Sequence, residues 1–162
     1  RCHAPSDEFG RVQLGLVYID FDVPAGTAQG IARFYDQVMR APARVEGGKA
    51  LVQAGASQSL RFTESDRAPP AYDGHHFLIY LADFAGPYGW LKKRGLISRD
   101  SDPHEWRLQW ITDPVDDKPL FQVEHEVRSV YHPLFNRPLV NRNPLLTNRS
   151  YRRGDEAFSG DY

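Results

Sequence analysis

One pattern occurs twice in the chain, with copies about 58 residues apart, and it constrains the fold more than any other feature. In the first copy, Val17, Ile19, Phe21 and Val23 alternate with Tyr18, Asp20 and Asp22. That is the period of a strand with one buried face. After Pro24-Ala25-Gly26, Thr27 opens a helix whose apolar residues Ile31, Phe34, Tyr35, Val38 and Met39 share one side. In the second copy, Gly74–Leu81, Phe77, Ile79 and Leu81 fall on one face and His76, Leu78 and Tyr80 on the other. A helix follows from near Asp83 to Lys92-Lys93-Arg94-Gly95. Asp83 suits its start, Pro87 its first turn, the cations its C-terminal dipole and Gly95 a left-handed position after it. Superposing the apolar faces pairs Ile19 with Phe77, Phe21 with Ile79, Val23 with Leu81, and Tyr18 with His76. A repeat of this length predicts a duplicated domain half rather than a solenoid.

The 162 residues suit one domain or two intimately packed halves, and 41% hydrophobic residues are enough for a real core. A formal charge of −1 gives no global pull toward nucleic acid or membrane. No apolar run approaches the roughly 18 residues needed to span a bilayer. The single cysteine, Cys2, excludes an internal disulfide framework and a Cys-rich zinc site, which makes a reducing, cytoplasmic setting the expectation. Asn148-Arg149-Ser150 and Arg153-Gly154-Asp155 match short glycosylation and adhesion tripeptides, but such matches are common by chance.

In chain order, residues 1–14 read as a polar lead-in and 15–64 as strand, helix and three short strands around glycine turns. Residues 65–73, with Pro69-Pro70, form a linker. Residues 74–128 repeat the unit, with strands near 96–99, 105–112 and 120–128 and a turn at 113–118. The fold class is therefore α+β, two βαβββ modules. The segments VYIDFDVP…IARFYDQVM and HHFLIYLADF…LKKRG…DPVDDKPLFQVEHE resemble the vicinal oxygen chelate superfamily, which includes glyoxalases, bleomycin-resistance proteins, fosfomycin-resistance enzymes and extradiol dioxygenases. The resemblance covers about residues 15–128. It implies a half-open barrel whose concave face holds a small ligand, often with a divalent metal.

With the apolar side of each strand assigned to the helices, the concave face receives Tyr18, Asp20 and Asp22; Ser59, Arg61 and Thr63; His76 and Tyr80; Arg107 and Gln109; and Gln122, Glu124 and Glu126. Trp106, Leu108 and Trp110 are expected on the opposite side of their strand. Buried charges are costly unless paired, so this face implies a wet cavity, a bound ion, or Asp20–Arg61 and Glu124–Arg107 pairs that neutralise one another. By the resemblance, His76 matches a metal ligand, and the partner position on the last strand falls on Gln122 or Glu124. Tyr18 stands where a histidine is expected, and Ser59 or Arg61 where a carboxylate is. His104 could reach the rim as an acid or base or serve as a turn histidine. His75 and His125 have helix-facing parity.

Residues 129–162 carry three X-Pro steps with interspersed aromatic and aliphatic side chains, and predict an extended arm over the domain or a partner subunit in a homodimer. Arg128 or Arg137 would line the pocket. Three functions compete. In a metal-dependent enzyme of lyase, isomerase or dioxygenase type, Fe, Mn, Zn or Ni would hold two neighbouring substrate oxygens. His76 would be a ligand, Glu124 a ligand or base, and Tyr18 or Tyr80 a proton donor. The alternative is a non-catalytic module of bleomycin-resistance type that sequesters a small aromatic or cationic molecule beside Asp20, Asp22, Glu124 and Glu126. The third is a scaffold half of a larger polypeptide.

Overall fold

The computed structural model describes residues 16–68, 70–132 and 134–135. Within them, β1 (Tyr18–Pro24) leads into α1 (Ala28–Arg33), which continues through a π-helical turn at Phe34–Val38. The strands β2 (Ala43–Glu46), β3 (Lys49–Gln53) and β4 (Ser59–Ser65) complete the first module. The second runs β5 (His76–Leu81), α2 (Ala85–Lys93), β6 (Ile97–Asp102), β7 (Glu105–Thr112) and β8 (Pro119–Ser129). Two open four-stranded mixed sheets result, ordered β1-β4-β3-β2 and β5-β8-β7-β6. The duplication extends to register. β1 lies parallel to β4 from Tyr18↔Ser59, and β5 lies parallel to β8 from His76↔Glu124. Among the described residues, no helix is long and apolar enough to cross a membrane.

By contacts, the described chain forms two compact units, one of residues 16–75 with 110–123 and the other of 76–109 with 124–135. In the first, Ile31, Phe34, Tyr35, Val38 and Met39 are buried as their spacing predicts, against Ala50, Val52, Leu60 and Phe62. Burial of each large apolar side chain contributes about 1.5–3 kcal/mol. Phe62 stacks on Phe21 at 5.2 Å and meets Phe121 edge-on at 6.3 Å. The far end of the β7–β8 hairpin thus belongs to this core. It also clamps α1. Arg33 donates from Nε to Asp113 Oδ1 at 3.2 Å and pairs through its other nitrogen with Oδ2. A Cβ on Gly30 would come 2.6 Å from Leu120 Cδ1, so glycine permits the approach.

The hydrogen bond from Arg33 holds the Asp113 carboxyl below its ordinary value of 3.8, against the opposing effect of burial. A depressed carboxyl pKa gives stability that is complete above the unfolded value and is lost as pH falls through the folded one. Asp113→Asn should therefore be less stable than wild type at pH 7. The two unfolding curves should converge below about pH 3 in an acid titration followed by circular dichroism.

The start of α1 holds a feature the local sequence does not announce. Thr27 Oγ1 donates back to Pro24 O at 2.6 Å and makes no cap. The cap is Glu64 of β4, whose Oε1 accepts the Ala28 N–H at 2.8 Å from 36 residues away. A carboxylate at a helix N-terminus meets both unpaired N–H groups and the positive dipole end. Glu64→Ala is expected to cost about 1 kcal/mol, read as a lower urea midpoint with unchanged m-value.

In the second unit, Phe77, Leu91, Trp106, Leu108 and Val127 are buried. Phe84 and Tyr88 from α2 and its start face Trp106 at 5.7 and 6.3 Å. Asp83 Oδ1 accepts the Gly86 N–H at 3.0 Å, and Gly95 sits at φ 66°, so both ends of α2 close as predicted. Leu96 N–H reaching Leu91 O at 3.1 Å completes that C-terminal turn.

Candidate functional site

In the second unit, the face opposite α2 carries a tight charge lattice. Arg107 reaches Glu124 at 2.8 Å, Glu126 at 2.7 Å and Glu105 at 3.2 Å. Arg128 bridges Glu105 at 2.9 Å and Glu126 at 2.6 Å. Gln109 Nε2 donates to the second Glu124 oxygen at 3.3 Å. Burial pushes the Glu124 carboxyl up, but the hydrogen bonds from Arg107 and Gln109 outweigh it and hold the group below its ordinary value. His76 opens β5 beside Glu124 in the ladder. Tyr80 lies farther along, beside Arg128, with its ring 5.0 Å from Phe135 and 6.5 Å from His132. His104 sits in the β6–β7 turn. Its N–H donates to Asp102 at 2.7 Å and its carbonyl accepts Ser129 N–H at 2.9 Å. His125 is fully buried with its ring 4.5 Å from Phe77, as its parity predicts.

The first unit presents a different surface. Tyr18, Asp20 and Asp22 stand on the exposed side of β1, beside Ser59, Arg61 and Thr63 of β4. The expected Asp20–Arg61 pair does not form. Thr63 Oγ1 donates to Asp20 at 2.7 Å, and the Arg61 guanidinium lies over the Tyr18 ring at 3.6 Å. Stacking on an aromatic face keeps the guanidinium edge hydrated, whereas a neighbouring hydroxyl satisfies the carboxylate. Neither Asp20 nor Asp22 has a cationic partner among the described residues.

Along β1 lies a cavity of about 580 Å³, within the range of small-molecule sites. Asp20, Phe21, Asp22 and Pro24 of β1, Pro70, Ala71 and Tyr72 of the linker, His75 just before β5, and Trp110, Leu120, Phe121 and Gln122 of the hairpin line it. Its aromatic walls are ordered. His75 lies near-parallel to Phe21 at 6.3 Å, Tyr72 meets His75 edge-on at 5.1 Å, and Phe121 is 6.0 Å from Phe21. His75 is held from behind by Asp73, 2.7 Å from Nδ1. Trp110 corrects the sequence expectation. Trp106 and Leu108 are buried, whereas Trp110 is 41% exposed and faces this cavity, because β7 passes from one unit into the other at that residue. Strand alternation alone does not reveal such a change of surroundings.

No protein-family model matches the sequence. No curated protein matches it. Solved structures do. The chain is similar to oxidase ChaP-H2, at TM-score 0.51 and 16% identity over 73% of this chain and 94% of that one. It is equally similar to oxidase ChaP-H1 and to a protein from Bacillus anthracis described as glyoxalase-family, both at TM-score 0.50 and 16% identity. These matches cover 72% and 74% of this chain and 95% and 97% of the others, respectively. The chain has the vicinal oxygen chelate fold.

In the ladders of this fold His76 stands beside Glu124 and Tyr18 beside Ser59, while Gln122 lines the cavity. Both Glu124 oxygens already accept hydrogen bonds, one from Arg107 and one from Gln109. Among the described residues, no three His, Cys, Asp or Glu side chains converge as an ion would require. The described residues therefore do not by themselves fit a divalent metal. Arg137 and the arm beyond Phe135 lie outside the described residues.

Proposed function

We propose that this protein is a binding module that captures a small planar aromatic cation. The observation that carries the reading is the cavity along β1, where five aromatic rings are joined by Asp20 and Asp22, neither of which pairs with a cation among the described residues. Ring faces attract a flat cation through their quadrupoles, and carboxylates at the rim add a charge that a neutral isostere would not feel. Asp20, Asp22, Phe21, Tyr72, Trp110 and Phe121 bind, Gln122 offers an orienting amide, and His75 adds a wall. The lattice of Glu105, Arg107, Glu124, Glu126 and Arg128 holds the second sheet together rather than reacting.

Titration with N-methylquinolinium, followed by tryptophan fluorescence and by calorimetry, tests this. At about half a kcal/mol for each of its roughly eleven heavy atoms, the expected Kd is on the order of 100 µM. The binding needs no added metal and is at least about fivefold tighter than that of the neutral isostere 1-methylnaphthalene. An absence of saturable binding, or equal affinity for the neutral molecule, overturns the reading.

A further inference from the structure

The first sheet carries a second cavity, of about 480 Å³, with the opposite charge. It opens on the face away from α1, over β2, β3 and β4. Its floor is Leu51, and the register sets Arg44 and Arg61 on either side of that residue. Lys49 lies two residues along β3 on the same face. Neighbouring strands are about 4.8 Å apart, so the two arginine backbones stand roughly 10 Å apart. The two arginines thus bracket the Leu51 floor. Gln53 and Ser59 supply neutral donors at the wall, and among the described residues no acid lines the cavity.

The charges are also available. Arg44 is tied to Glu46 at 2.6 Å at the edge, with both side chains more than half exposed. Among the described residues, neither Lys49 nor Arg61 pairs with an acid. Arg61 rests on the Tyr18 ring, which fixes its position and leaves its nitrogens free to donate. Lys49 and Arg61 have acids as ladder neighbours, Glu46 and Asp20, but are ion-paired with neither, and a bound anion meets both cations directly.

We infer that this cavity is a binding site for a small organic oxyanion, with the dianionic phosphate monoester preferred. A dianion answers two unpaired cations, and Leu51 with Val17 gives its organic part an apolar bed. The inference rests on β2–β4 and is independent of the aromatic cavity along β1.

Phenyl phosphate and benzoate, titrated into the ¹⁵N-labelled chain at constant ionic strength set by sodium chloride, test it. Phenyl phosphate should give saturable amide shifts confined to β2, β3 and β4, with a Kd on the order of 1 mM or tighter. Benzoate should bind about tenfold more weakly. Lys49→Gln and Arg61→Gln should each weaken phenyl phosphate about fivefold or more, with N-methylquinolinium binding unchanged. No saturable shift beyond the chloride control overturns the inference. So does equal affinity for benzoate, or undiminished binding by Lys49→Gln, which removes a part-buried lysine's charge without touching the Tyr18 contact.

Discussion

Replacing Arg107 by alanine should lower stability by about 3 kcal/mol or more, the largest loss expected from any single charged residue of the chain. The guanidinium touches Glu105, Glu124 and Glu126, and the Glu126 side chain is only 8% exposed. Removing Arg107 leaves Glu105 and Glu126 facing Arg128 alone and Glu124 with Gln109 but without its charged donor. The cost is that of the stranded charges more than of the lost bonds. Arg107→Ala combined with Glu124→Gln and Glu126→Gln should therefore be more stable than Arg107→Ala alone, although it restores no packing and retains fewer ion pairs. Urea unfolding checks both. The order of the two variants matters most, since a loss arising only from packing would not be repaired by neutralising the acids.

Trp110→Ala should abolish most binding of an aromatic cation while leaving the fold intact. The indole is 41% exposed and lines the cavity, so its removal takes little from the core. A ring face lost from a cation site costs about 1–2 kcal/mol, or roughly five- to thirtyfold in Kd. Asp22→Asn should give a smaller loss that shrinks further in high salt, because an exposed carboxylate acts through a screened field. Calorimetry at two salt concentrations separates the two effects.

Much of the fold is legible in the residues. Alternation at 17–23 and 76–81 sets which side of β1 and β5 is buried, and the 0, 3, 4, 7, 8 spacing from Ile31 sets the buried side of α1. The likeness of the two halves, down to Tyr18 standing where His76 stands, follows from those same patterns. What local pattern does not carry is long-range proximity. Glu64 caps a helix 36 residues away, and Asp113 clamps Arg33 across 80 residues. The aromatic cavity has the same origin. Tyr72 comes from a proline-bearing linker with no period, His75 stands at the edge of β5 with helix-facing parity, and Trp110 has the parity of a core residue. The signal that was available is compositional, in aromatic residues placed where no helix or strand pattern explains them. The charge lattice was half legible, since alternation places Arg107 near Glu124 but cannot choose between Arg61 meeting Asp20 and Arg61 meeting Tyr18.

The claim that the cavity along β1 is the functional site is tested most directly by mapping where an aromatic cation binds. The ¹H–¹⁵N spectrum of the full chain, recorded with rising N-methylquinolinium, should show saturable shifts clustered at residues 20–24, 70–75, 110 and 120–122. These should share one Kd, raised about five- to thirtyfold in Trp110→Ala. Shifts centred instead on His76, Tyr80, Glu124 and Arg128, or unchanged by loss of Trp110, would contradict it.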